Sequence, residues 1–237
     1  MRYIITLLHQ LLVYTATMTD THRISTYPAT EERINIISHA LGLLLCTIGL
    51  VFLVIKAVAY GPPVHIVSAA VFGASLVTLY ASSTIYHSAT DPALRRALRT
   101  VDHAAIYVLI AGTYTPYALI TLEGTVGWTV LGVTWGMALT GITLKLFFTG
   151  RFNALSTAMY VCMGWIIVFA IKPLIANLNP DGLTWLFAGG VAYTAGALFY
   201  SITKMPFGHA TFHVFVLIGS ICHFVSVYFF VLAPSNS

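Results

Sequence analysis

Seven long apolar windows leave this chain one class of fold. They lie at 36–58, 65–87, 102–120, 125–144, 155–176, 183–202 and 208–232, and about 20 such residues carry a helix across the hydrocarbon of a bilayer. Backbone groups find no water there, so each window has to be helical. The breaks between windows hold turn chemistry or charge: Gly61-Pro62-Pro63, Asp91-Pro92 with Arg95, Arg96 and Arg99, Glu123-Gly124, Gly150 to Asn153, Asn177 to Gly182, and Lys204 to Gly208 around Pro206. Composition points the same way. Of 237 residues, 58% are hydrophobic and 8% charged, against roughly a quarter charged in soluble domains. So few charges cannot cover a surface facing water. The same figures exclude a disordered chain, a secreted disulfide scaffold and a nucleic-acid module. Cys46, Cys162 and Cys222 all fall inside apolar windows, with no CxxC pair, and read as small buried hydrophobes. The expectation is an all-α integral membrane protein, a seven-transmembrane helix bundle.

Seven spans put the termini on opposite sides, and basic residues choose the sides. With the N-terminus inside, Arg2, Arg23, Arg33, Arg95, Arg96, Arg99, Lys145, Arg151 and Lys204 are cytoplasmic, leaving Lys56 and Lys172 outside, nine against two. The reading is N-in, C-out, the reverse of G-protein-coupled receptors. It divides the chain into a cytoplasmic tail over 1–33 and a seven-helix domain over 34–237. Residues 3–17 form a further apolar stretch interrupted by His9 and Gln10. A cleaved signal, an amphipathic surface helix and a translation start at Met18 are its three readings, the last preferred. No internal repeat supports an inverted-repeat transporter.

Ionisable groups inside spans are costly and flag function by default. His39 lies near the start of span one, and His87 ends span two. Asp102 and His103 start span three, and His209 and His213 start span seven. Alternating span directions bring all of them to one cytoplasmic-side layer, with His223 much deeper. His209 and His213 are an i, i+4 pair on one helix face, a spacing that offers two imidazoles to one metal ion. Ser83 and His87 repeat the spacing on span two. A third histidine from another helix completes a His₃ set with an open position, the catalytic type of zinc site. Each piece has an ordinary reading too: a hydrogen-bonded core pair, a serine bonded back to its own helix, an Asp facing a helix dipole. Their conjunction at one depth favours the site.

These residues fall in stretches that resemble a known group. Glu31, Glu32, Asn35 and His39 form one stretch, and Ser82, Ser83, His87 and Ser88 a second. Asp102, His103 and Tyr107 lead into Ala111-Gly112-Thr113-Tyr114-Thr115-Pro116, and Met163-Gly164-Trp165 with Lys172-Pro173-Leu174 follow. His209, His213 and His223 close the set. The chain resembles the hemolysin III group of the progestin and adipoQ receptor family, relatives of the adiponectin receptors and alkaline ceramidases. The resemblance implies seven helices with a cytoplasmic N-terminus. It also implies a zinc ion held by His87, His209 and His213, with Ser83 and Asp102 beside it. Phe212 stands where Trp is expected in bacterial relatives, and the long tail is a second departure.

The expected chemistry is metal-assisted hydrolysis of a lipid amide or ester, ceramidase-like, serving membrane lipid homeostasis in a bacterial plasma membrane. Asp102 would take or orient the proton of the attacking water and Ser83 would stabilise the oxyanion. Glu32, Asn35 and His39 form a polar strip entering the same layer, as second supports of the metal or as caps and interhelical bonds. His103 is turned about 100° from Asp102 and reads as packing or support. Two other functions stand beside the hydrolase: a non-enzymatic lipid sensor or organiser with structural zinc, and a cytolysin. Membrane lipids are the expected partners in all three.

Overall fold

A computed structural model describes residues 27–122, 124–148, 153–202 and 205–232. The apolar stretch at 3–17, Met18, Arg2, Arg23, Arg151, Lys204 and Ser237 lie outside the described residues. Seven helices are long and apolar enough to cross a membrane: α1 Ala29–Tyr60, α2 Pro63–Ser88, α3 Pro92–Leu122, α4 Gly124–Phe147, α5 Ala154–Asn177, α6 Pro180–Ser201 and α7 Gly208–Val231. The described residues contain no strand.

Six of the seven helices begin earlier than their hydropathy windows do. α1 starts seven residues before its window, with Glu31 and Glu32 in a first turn where negative charge suits the helix dipole. His39 therefore sits almost three turns inside α1. α3 starts ten residues early, at Pro92, with the Asp91 carboxylate accepting from Leu94 N at 2.7 Å as its cap. Arg95, Arg96 and Arg99 are consequently helical and not in a loop. Hydropathy ends at the first charges, whereas a helix continues beyond the hydrocarbon.

Neighbours in sequence pack together along α1–α2–α3–α4 and α6–α7, and α1 closes against α7. α3 is the central helix: 72% of its apolar window is buried, against 17–44% for the others. Outward faces carry Ile37, Val58, Phe147, Phe169 and Leu198, an apolar surface suited to lipid. The interior is Leu53, Phe72, Leu76, Tyr80, Tyr117 and Leu174. Of the cysteines, Cys222 is buried and Cys46 half-buried, but Cys162 is exposed. That corrects the reading of all three as buried, because an apolar window alone does not tell the lipid-facing side from the core.

Two helices depart from regular geometry. α3 widens into a π turn over Tyr117–Leu122 just after Pro116, whose ring disturbs the preceding carbonyls. α5 runs regularly to Gly164, tightens to a 3₁₀ stretch over Ile166–Ala170 and resumes at Ile171. Pro173 withholds the N–H that would bond Phe169. Tyr114 of α3 bridges the start of the 3₁₀ stretch: its hydroxyl donates to Gly164 O at 2.7 Å and accepts from Ile167 N at 3.0 Å.

Candidate metal centre

Two helix ends meet at the site. α2 carries His87 in its last turn and α7 carries His209 and His213 in its first two, so three imidazoles enter one small volume from two directions. His209 Nε2 lies 3.1 Å from His87 Nε2 and 3.0 Å from His213 Nε2. All three ligand atoms fall within 4.8 Å of one another. Ligands about 2.05 Å from a tetrahedral zinc stand about 3.3 Å apart, so the triangle is metal-sized.

Proton placement argues for a cation. His87 Nδ1 lies 2.9 Å from Glu32 Oε2, and a carboxylate only accepts, so Nδ1 carries the proton and Nε2 presents a lone pair. His213 Nδ1 is 3.4 Å from Ser38 Oγ, which donates its own proton to Asn35 O at 3.1 Å. Nδ1 is the donor there too, which leaves a second bare Nε2. His209 Nε2 thus faces two lone pairs, and a single proton can satisfy only one of them. A cation satisfies all three. The His87, His209 and His213 cluster can hold a metal ion.

Glu32 is the hub behind this layer. Besides His87 it accepts from Asn35 Nδ2 at 3.3 Å and pairs with the buried Arg95 guanidinium. Arg95 also donates to the carbonyls of Tyr86, His87 and Ala89 at 3.2–3.4 Å, capping the end of α2 on which His87 sits. Glu31 accepts from His209 N at 3.2 Å. Tyr27 stacks on His209 with centroids 4.6 Å apart, and His39 stacks on His213 at 3.5 Å. Glu32, Asn35 and His39 are therefore all gathered at the site. Arg95, Ser38 and Tyr27 carry no site signal in the sequence, and Glu31 enters only through the family stretch. Arg95 was counted as a loop charge; the Glu31-Glu32 pair was the available signal for a buried cation opposite.

Ser83 and Asp102 are buried neighbours and line a cavity of about 140 Å³ that His39, His209 and His213 also line. His103 lines it as well, with its Nδ1 buried and without a partner. Most of the remaining wall is apolar, contributed by residues such as Leu79, Ile106, Leu109 and Val216. Two of the three clustered histidines and the Asp102 carboxylate thus share one cavity with mostly apolar walls.

Residues 27–224 match the family model described as Haemolysin-III related. The chain belongs to the haemolysin III family. Over 200 residues it is 49% identical to the Hemolysin-3 homolog of Bacillus subtilis (strain 168), covering 84% of this chain and 94% of that protein. Over 206 residues it is 45% identical to Hemolysin-3 of Bacillus cereus, covering 87% and 94%. A more distant relative is the human Monocyte to macrophage differentiation factor, 26% identical over 170 residues, 68% of this chain and 69% of that protein. No solved structure matches significantly. The matched span takes in every site residue from Glu32 to His213. Together these matches place the chain in the hemolysin III group of the progestin and adipoQ receptor family, as a multi-pass integral membrane protein.

Proposed function

We propose that this haemolysin III protein is a zinc-dependent hydrolase of a membrane-lipid amide or ester, working from the cytoplasmic side of a bacterial plasma membrane in lipid homeostasis. One observation carries the reading: two of the three clustered histidines, His209 and His213, line the same largely apolar cavity as Ser83 and Asp102. A structural site needs no such space. When bound by three neutral histidines, zinc acts as a Lewis acid and activates water near neutral pH. Glu32 and Ser38 keep His87 and His213 in the ligating tautomer. Asp102 accepts the proton released by the attacking water and then returns it to the leaving group. Ser83 donates its one proton to the Asp102 carboxylate at first, and once Asp102 is protonated it turns that proton to the oxygen on which charge develops. The N-in, C-out orientation, from the nine-to-two division of basic residues, puts this layer at the inner face.

A second reading has its own support. Glu32 joins α1 to His87 of α2 and Arg95 of α3, so a metal added to α7 would pin four helices in a non-enzymatic lipid organiser. Cytolysis, which the Bacillus relatives' names carry, ranks below both, since an inward site in a packed bundle does not describe a pore. Metal analysis of the purified protein, combined with release of fatty acid from labelled lipid amides and esters, tests the proposal. Zinc at one per chain with release that Asp102→Asn abolishes supports the hydrolase. Zinc without any release, and an unchanged lipidome in a strain lacking the protein, moves the assignment to the structural reading.

A further inference from the structure

The cavity reaches well past the metal layer. His209 and His213 line one end, and His223, ten residues beyond His213 in α7, lines it too; that is ~15 Å further along the helix axis. Around His223 sits a small polar group. The Tyr80 hydroxyl donates to Ser220 Oγ at 2.8 Å, and the Tyr193 hydroxyl lies 3.0 Å from the same oxygen. Those three satisfy one another. His223 rests beside the Tyr193 ring, centroids 5.2 Å apart, yet takes no part in their bonds, and its Nδ1 is buried with no hydrogen-bond partner.

Leaving a buried nitrogen unbonded destabilises the fold, and an apolar side chain would fill the position without that cost. Space for the ring is kept by Gly189 of α6, where a Cβ would stand 2.6 Å from Nε2. No protein hydrogen bond holds the ring, and His223 lines the cavity, so a group bound there can approach it. A charged group is a poor candidate, because the polar neighbours at that depth are hydroxyls. A lone hydroxyl on an otherwise apolar chain suits both the nitrogen and the walls.

We infer that His223 forms a polar subsite of this cavity for a single-chain amphiphile whose head lies at the metal layer and whose hydroxyl sits in mid-chain, roughly a dozen methylenes away. This rests on the reading of the cavity as an acyl-chain site. Metal-loaded protein in detergent is titrated with stearate, 7-hydroxystearate and 12-hydroxystearate, followed by tryptophan fluorescence and thermal shift. The wild type binds 12-hydroxystearate about tenfold more tightly than the other two, the scale of one hydrogen bond to a buried group. His223→Leu removes the preference while keeping its metal, and His223→Gln retains part of it. Equal affinities in the wild type, or a preference that survives His223→Leu, overturn the subsite and leave the acyl-chain reading standing. Binding of none of the three overturns the acyl-chain reading and the subsite with it. The comparison of 7- and 12-hydroxystearate needs only the wild type, so it decides the matter even where a variant fails to fold.

Discussion

His87 shows how little of a ligand's behaviour resides in the ligand. Its Nε2 is available to a metal because Glu32 holds the proton on Nδ1, and Glu32 is itself held by Asn35 and Arg95. Glu32→Gln keeps the shape but offers an amide that can donate as well as accept, so the tautomer is no longer enforced. The expected result is a metal affinity lowered roughly 10- to 100-fold, measured by competition with a chromogenic chelator. His87→Ala and His213→Ala lose the metal altogether, whereas His223→Ala keeps it. Asp102 answers a different question. Buried beside Ser83 but outside the histidine triangle, it bears on chemistry and not on binding. Asp102→Asn is expected to retain zinc and fold while losing lipid hydrolysis; undiminished turnover would remove it from the mechanism.

The irregular helices have local causes and tertiary repairs. Where α5 tightens to its 3₁₀ stretch, Gly164 O and Ile167 N would lack partners were it not for the Tyr114 hydroxyl that serves both. Tyr114→Phe exposes that dependence. Two backbone groups then lie unpaired in a nonpolar interior, at about 1–3 kcal/mol each. A melting temperature lower by several degrees, with metal content unchanged, is the expected outcome. The ends of α2 and α7 follow the same logic, since Arg95 caps the carbonyls of α2 and Glu31 accepts from His209 N in the first turn of α7. Each ligand-bearing terminus is thus held by a charge from a different helix.

The bundle as a whole couples metal to fold. The triangle joins α2 to α7, and Glu32 extends the connection to α1 and α3, so the ion binds the folded arrangement in preference to any separated one. Removing it with a chelator is expected to lower thermal stability, and adding back zinc restores it in proportion to the logarithm of its free concentration. Orientation is the other property of the entire molecule. Reporter fusions between Ser88 and Thr100 should be cytoplasmic and those at Ser237 external. The same side for both would be incompatible with seven spans.

Hydropathy and ligand spacing were sufficient for the membrane class, the number of spans and the His209–His213 pair as candidate ligands, while His87 as the third ligand came from the family resemblance. A run of about 20 apolar residues has one stable form in lipid, and an i, i+4 pair shares a helix face wherever that helix packs. What remained illegible depended on how the helices are rotated against each other. Arg95 reads as one of three loop arginines until α3 is seen to begin at Pro92 and turn that side chain onto Glu32, 63 positions earlier. Ser38 reads as an ordinary helical serine until α1 packs against α7. Cys162 reads as core until α5 turns it outward. The pairing of buried charges, the tautomers they impose and the depth of the cavity are decided by contacts between residues far apart in the chain, and local apolarity carries no information about those.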